Sequence, residues 1–148
     1  MAVAFIGLGS NVGDRAENLK RALEKIRKLP KTGLIKSSTF HETDPVGGPP
    51  QGKFLNAAAE LQTDLEPLEL LKQVRKIEQE MGRPKKHERW GPRTIDLDLL
   101  IYDDLILQTP ELTLPHPRMQ ERPFVLNPLA EIAPDWRRFI HADRPQLR

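Results

Sequence analysis

The segment Ile95-Asp96-Leu97-Asp98-Leu99-Leu100-Ile101 opens by alternating apolar and acidic residues, the pattern of a β-strand with one face buried. Strand side chains alternate sides, so Asp96 and Asp98 are expected to share one face. Ile95, Leu97, Leu99 and Ile101 are expected to point the other way into a core. Positions two apart on a strand lie about 6.6 Å from each other, near enough for two carboxylates to share one or two hard divalent cations. Immediately upstream, Arg89-Trp90-Gly91-Pro92-Arg93 is a stiff, cationic turn. Between Arg83 and Arg93 five basic residues, Arg83, Lys85, Lys86, Arg89 and Arg93, face only Glu88. Such a local field attracts a compact polyanion, and guanidinium forks match phosphate oxygens two at a time. A strand-borne acidic pair beside that turn suits a magnesium-nucleotide site better than two solvated carboxylates beside a solvated loop.

Composition narrows the classes. The chain has 148 residues, 38% hydrophobic and 30% charged, which suits one soluble domain with a real core spanning residues 1–148. No apolar stretch approaches the roughly 20 residues of a membrane span. The start, Met1-Ala2-Val3-Ala4-Phe5-Ile6, has no basic leader, so a cytoplasmic protein is expected. With no cysteine, disulfides, thiolate metal sites and thiol nucleophiles are excluded.

The periodicities give an element order. Ala2 to Gly9 reads as a buried strand, with Gly9-Ser10-Asn11 as its turn. Asp14 with Glu17 three residues on has the form of a capping box. Leu19, Ala22, Leu23, Ile26 and Leu29 follow at helical spacing, closed by Pro30. Leu34 to Thr43 reads as a second strand, 45–52 as a Pro- and Gly-rich loop, and Phe54 to Thr63 as a third strand. Pro67 opens a helix with the stripe Leu70, Leu71, Val74, Ile77 and Met81, ended by Gly82. The Asp-bearing strand runs to Tyr102, and a short helix is expected from Phe124 to Ile132. The order β-α-β-β-α-β predicts an α+β, ferredoxin-like sandwich: an antiparallel sheet with two helices packed on one face. An extra hairpin near 103–107 is expected to widen the sheet, and the opposite face to hold the long loops and the site.

Several further residues stand out against ordinary structural roles. Glu78 falls inside the apolar stripe of its helix, so its carboxylate needs a partner, for which a basic loop residue is the obvious choice. His116 is held between Pro115 and Pro117, which suggests a positioned donor to phosphate, and Arg122 follows six residues later. Phe54 and Phe124 would ordinarily be core. Asn56 lies on the same strand face as Phe54, an amide where an apolar residue is expected. Trp90 either plugs the core or shapes a nucleotide pocket. The segment Gly7-Leu8-Gly9-Ser10-Asn11-Val12-Gly13 fits neither phosphate-loop pattern, and no lysine follows its glycines.

With these residues in place, the chain resembles the 6-hydroxymethyl-7,8-dihydropterin pyrophosphokinase (HPPK) family over nearly its whole length. The resemblance is carried by Gly9-Ser10-Asn11, Thr43-Asp44-Pro45-Val46-Gly47, Phe54-Leu55-Asn56-Ala57, the long run from Glu88 to Asp98, Leu114-Pro115-His116-Pro117-Arg118, and 122–126. It implies a ferredoxin-like fold and transfer of the β,γ-pyrophosphoryl unit of ATP to the pterin hydroxymethyl group, giving AMP, in folate biosynthesis. It implies that Asp96 and Asp98 hold two Mg²⁺ ions, and that Arg83, Arg93, Asp96 and Asp98 carry the catalysis. By the same resemblance ATP is bound by Arg83, Trp90, Arg93, His116 and Arg122. The pterin lies among Thr43, Pro45, Val46, Phe54, Asn56, Trp90, Asp96 and Phe124. The implied partners are these two small molecules, with no nucleic acid and no membrane, for a chain acting as a monomer. Family members often carry arginine where Lys85 stands, which keeps the charge and loses the bidentate fork.

Two rival classes are weaker. An RNA-binding module shares the element order, but neither the first nor the third strand has its aromatic stacking motif. A two-metal nuclease would use Asp96 and Asp98 without needing ATP, and would leave the Phe54, Asn56 and Phe124 set without a purpose.

Overall fold

The nine-residue strand β1 (Ala2–Ser10) is the axis of the molecule, because its alternation supplies two different cores. Ala4, Ile6 and Leu8 face one way, and Phe5 faces the other. The structure, a computed structural model, describes residues 1–43, 53–82 and 94–140. After β1, Asp14 caps the helix α1 (Arg15–Arg27), its Oδ1 accepting from the Glu17 N–H at 3.1 Å. Next come β2 (Thr32–Ser37), β3 (His41–Thr43) and β4 (Phe54–Thr63). The helix α2 (Pro67–Glu80) follows, with Pro67 at its first turn, and then β5 (Asp96–Tyr102). A small ladder of β6 (Leu107–Gln108) and β7 (Thr113–Leu114) leads to a 3₁₀ turn at Met119–Glu121. The helix α3 (Pro123–Ile132) and a second 3₁₀ turn at Trp136–Phe139 complete the described chain.

The sheet order is β2-β4-β1-β5, every pairing antiparallel, with β3 added beside β4. This is the ferredoxin-like arrangement expected from the element order. Helices α1 and α2 bury Leu19, Ala22, Ile26, Leu70, Val74 and Ile77 against Ala4, Ile6, Leu8, Ala57, Ala59, Leu61, Leu97 and Leu99. The alanines of β4 let the helices approach closely, which explains how a run of three tolerates a strand.

Four expectations need correcting. The strand expected over 34–43 is two strands, because the Ser38 side chain interrupts it. Its Oγ accepts the Ala58 N–H at 2.9 Å and donates to the Thr39 carbonyl at 2.7 Å, displacing the regular ladder. The extra hairpin does not widen the sheet: β6 and β7 pair only with each other, and β3 supplies the fifth strand. β1 runs one residue past the expected end at Gly9, so Ser10 is a strand residue, not a turn residue. Finally, a register shift sets Phe5 opposite Ile101 and Ile6 opposite Leu99. The extra residue turns Ile101 to the side away from Leu97 and Leu99, where it packs with Phe5, Leu100, Met119, Leu129 and Trp136. That second cluster is covered by α3, so the face opposite α1 and α2 carries a helix of its own.

Candidate active site

Residues that share a sheet face can be read from the register. Gly9 pairs with Asn56 on β4 and with Asp96 on β5, while Gly7 pairs with Ala58 and Asp98. Asn56, Gly9 and Asp96 therefore form one row across three strands, and Ala58, Gly7 and Asp98 the next. At about 4.8 Å per strand step, the outer members of a row stand roughly 10 Å apart with no side chain on the glycine between them. The result is a trough to whose floor β1 adds no side chain, with Leu100 packed beside Gly7. A Cβ added at Gly9 would sit 3.0 Å from Asn56 Oδ1 and 3.7 Å from Phe54 Cδ1; one at Gly7 would touch the Leu100 side chain at 3.5 Å. Neither Gly7 nor Gly9 was expected from the sequence to shape the floor of the site. Their spacing of two inside an apolar run was the available signal.

On the β4 side, Phe54 is half-buried and Asn56 is 5% exposed. The Asn56 amide nitrogen donates to Thr43 Oγ1 at 2.7 Å, across the pairing in which Thr43 lies opposite Phe54. The Asn56 amide oxygen is thereby left over the Gly9 backbone as an acceptor. The Thr43 hydroxyl keeps its own hydrogen to donate.

On the β5 side, Asp96 and Asp98 lie on one face of the strand, both half-buried, as the alternation requires. The peptide between them is held from the sheet's edge. Leu97 pairs with Leu8, and its N–H donates to Glu78 Oε2 at 2.8 Å while its carbonyl accepts from Arg75 Nη1 at 2.7 Å. Arg75 also reaches Glu78 Oε1 at 3.1 Å. Glu78 is only 2% exposed, and these bonds help to satisfy its carboxylate in the apolar stripe of α2. The described partners of Glu78 thus include an arginine one turn back on its own helix and the backbone between the two aspartates. The basic loop expected to supply its partner lies outside the described residues. Arg75 and Glu78 act as an edge clamp on the strand that carries the acidic pair.

His116 sits where the chain returns from β7. Its N–H donates to the Leu100 carbonyl at 2.8 Å, and its Nδ1 accepts from the Arg118 N–H at 3.2 Å. With Nδ1 accepting, the proton of the neutral ring belongs on Nε2, which can act as a donor. Burial lowers the His116 pKa below its ordinary 6.5; the Asp98 charge opposes this, and Arg122 and Arg118 add to it. His116 is therefore within electrostatic reach of both Asp98 and Arg122. Arg122 precedes α3 and places its guanidinium 5.8 Å from the Phe124 ring centre. Phe124 is half-buried on the helix that covers the same sheet face as Phe54 and Asn56.

The described site thus joins Thr43, Phe54, Asn56, Asp96, Asp98, His116, Arg122 and Phe124. Pro45, Val46, Arg83, Trp90 and Arg93 lie outside the described residues. Among the described residues no group of three or more His, Cys, Asp and Glu is placed to hold a metal ion by itself. Two carboxylates with the remaining positions open suit a hard ion that takes its other oxygens from a phosphate and water, as magnesium does. The donor set fits that group. No described helix is long and apolar enough to cross a membrane.

Comparison with known proteins agrees in all its parts. The chain matches the family model described as 7,8-dihydro-6-hydroxymethylpterin-pyrophosphokinase (HPPK) over residues 5–134. It is 48% identical over 130 residues to the 2-amino-4-hydroxy-6-hydroxymethyldihydropteridine pyrophosphokinase of Bacillus subtilis (strain 168), covering 88% of this chain and 77% of that protein. A Pseudomonas aeruginosa protein of the same name is 44% identical over 133 residues, covering 90% of this chain and 82% of the relative. Among solved structures, wild-type Plasmodium falciparum HPPK-DHPS with pteroate superposes with a TM-score of 0.67 at 16% identity. The match covers 88% of this chain and 38% of that one, so it speaks for the fold of the HPPK part alone. A match over most of the chain, close relatives under one name and the ferredoxin-like sheet lead to one conclusion: this chain belongs to the HPPK family.

Proposed function

We propose that the chain transfers the pyrophosphoryl unit of ATP to the hydroxymethyl group of 6-hydroxymethyl-7,8-dihydropterin, giving AMP and the pterin diphosphate, in folate biosynthesis. One observation supports this reading above the others. An acidic pair on β5 and an amide–aromatic pair on β4 face the same side of the sheet, separated by Gly7 and Gly9 of β1, which carry no side chain. The two walls suit two different ligands, a metal-bound phosphate and a flat heterocycle rich in hydrogen-bonding edges.

In this reading the pterin stacks between Phe54 and Phe124 and presents its polar edge to Asn56 and Thr43. The Asn56 oxygen accepts from a ring or exocyclic N–H, and the Thr43 hydroxyl donates to a ring nitrogen or carbonyl. Asp96 and Asp98 would hold two magnesium ions, which when bound neutralise the triphosphate and polarise its phosphorus–oxygen bonds. The hydroxymethyl oxygen bonds to the β-phosphorus and releases its proton to water, the bond from that phosphorus to the α,β-bridging oxygen breaks, and AMP leaves with the electron pair. Transfer of this kind asks for positioning and charge neutralisation more than for covalent chemistry. His116, neutral at pH 7, donates from Nε2 to a phosphate oxygen, and Arg122 gathers charge beside it. Arg83, Arg93 and Trp90 complete the ATP end and Pro45 and Val46 the pterin end, in a cytoplasmic monomer.

The direct test supplies ATP, Mg²⁺ and the hydroxymethyl dihydropterin to the purified chain. AMP must accumulate in step with pterin consumed. Accumulation of ADP, or AMP formation that ignores the pterin, would overturn the reading, and cleavage of RNA or DNA without ATP would establish the nuclease alternative.

A further inference from the structure

The far end of α3 makes a contact that the proposed reaction does not use. Glu131 Oε2 accepts from the Thr39 N–H at 2.8 Å. Its Oε1 accepts from the Thr39 hydroxyl at 2.7 Å and lies 2.8 Å from His41 Nε2. These partners stand about 90 residues away in sequence, on β3 and its approach. Three contacts on one carboxylate hold the pKa of Glu131 well down, at about 2.

We propose that Glu131 is a positioning residue for the pterin end of the site, fixing α3 and with it the Phe124 ring relative to Phe54 and Asn56. The inference rests on the reading above, in which Phe124 covers the pterin. Three observations carry it. First, Phe124 and Glu131 are seven residues apart, so they share one side of the helix about 10.5 Å from each other. A rotation that freed Glu131 would carry Phe124 with it. Second, α3 is weakly specified by its own sequence. It has no side-chain cap at its N-terminus and contains Pro128, which cannot donate to the helix ladder. Leu129, Ile132 and Ala133 hold it down in the Phe5–Ala58 core, but apolar contact sets depth more than rotation. Third, the strand that Glu131 grips is the one beside the pterin wall. His41 pairs with Asn56 and Thr43 with Phe54, so one carboxylate ties both walls of the slot together.

The test uses Glu131→Ala, Glu131→Gln, Thr39→Val and Phe124→Ala, reading KM for the pterin, KM for ATP and kcat. Glu131→Ala should raise the pterin KM about tenfold, the scale of lost hydrogen bonds to a charged group, with a clearly smaller rise in the ATP KM through Arg122 at the start of the same helix and kcat within about twofold. Glu131→Gln, whose amide oxygen still accepts from Thr39, should recover most of the loss, and Thr39→Val should fall between. In a Phe124→Ala background Glu131→Ala should add little further. Equal rises in both KM values, an unchanged pterin KM with only a lowered Tm, or strictly additive losses with Phe124→Ala would each overturn the proposal. Wild-type protein that made no pterin-dependent AMP would remove the parent reading and this one together. Wild-type activity without the KM split would remove this one alone.

Discussion

The two faces of the sheet are built on opposite principles. The face under α1 and α2 is a continuous apolar layer in which Ala4, Ile6, Leu8, Leu61 and Leu97 meet helix side chains, and among the described residues it holds none of the candidate ligand groups. The other face is divided. Near the Phe5–Ile101 end it is core, closed by α3 and Trp136; near the Gly9 end it carries Asn56, Asp96 and Asp98, with no β1 side chain between them. The same strands make both, so the difference lies in alternate residues of β1, β4 and β5. One set of side chains carries stability and the other is free for chemistry, which predicts that substitutions on the two faces fail in different ways.

The largest effect on activity belongs to the acidic pair. Asp96→Ala and Asp98→Ala should each lower kcat by about 10²–10³-fold, the loss seen when one preorganised stabiliser of transition-state charge is removed. Neither should shift Tm by more than a surface substitution does, since both carboxylates are only half-buried. A collapse of Tm in parallel with kcat would show that the faces are not separable. Leu61→Ala, on the helix-backed face, should do the reverse. Leu61 is fully buried, and truncation there should cost about 2–5 kcal/mol in denaturant unfolding while KM for both substrates stays put.

A smaller effect separates the walls of the trough. In Gly9→Ala the new methyl would stand 3.0 Å from Asn56 Oδ1, and Asn56 cannot retreat freely because its nitrogen is tied to Thr43 at 2.7 Å. The pterin KM should rise about tenfold, roughly one hydrogen bond's worth, with ATP KM little changed. Gly33→Ala is the matched control. A Cβ there meets nothing within 4 Å, so both KM values should be unaltered. Steady-state kinetics on the pair decides whether the floor must be bare or merely happens to be.

What could be read from the sequence was whatever kept its period. Leu70, Val74 and Ile77 announced α2, and Asp96 and Asp98 stood out because acids interrupt an apolar strand at spacing two. The order of elements then selected the sheet. What could not be read was each place where a local hydrogen bond or an extra residue broke the period. Ser38 ends β2 through its own hydroxyl, and the additional residue at Leu100 sends Ile101 to the opposite core. Within the site, Asn56 was legible as a polar residue in apolar surroundings, whereas Gly7 and Gly9 act by lacking a side chain. Arg75 was not singled out, because an arginine on a helix surface is ordinary until the peptide it holds is known. Glu131 meets partners about 90 residues distant, which no local pattern encodes.

The smallest expected effect tests the join between the faces, the tie of α3 to β3. Glu131 has an ordinary pKa of 4.5 and is held at about 2 in the folded chain by His41 and Thr39. Folding therefore favours its charged form. The contribution is complete above pH 4.5, declines as the pH falls below that value, and is gone once the folded group is protonated near pH 2. Because the carboxylate is solvent-exposed, the gain in global stability is small and screened by salt. Urea unfolding of wild type and Glu131→Gln at pH 7, 5 and 3 should show wild type slightly ahead at the first two, with the gap closing at pH 3. A gap that widened on acidification would mean the folded state prefers the protonated carboxyl, and the three contacts drawn to Glu131 would have to be redrawn with the acid as a donor.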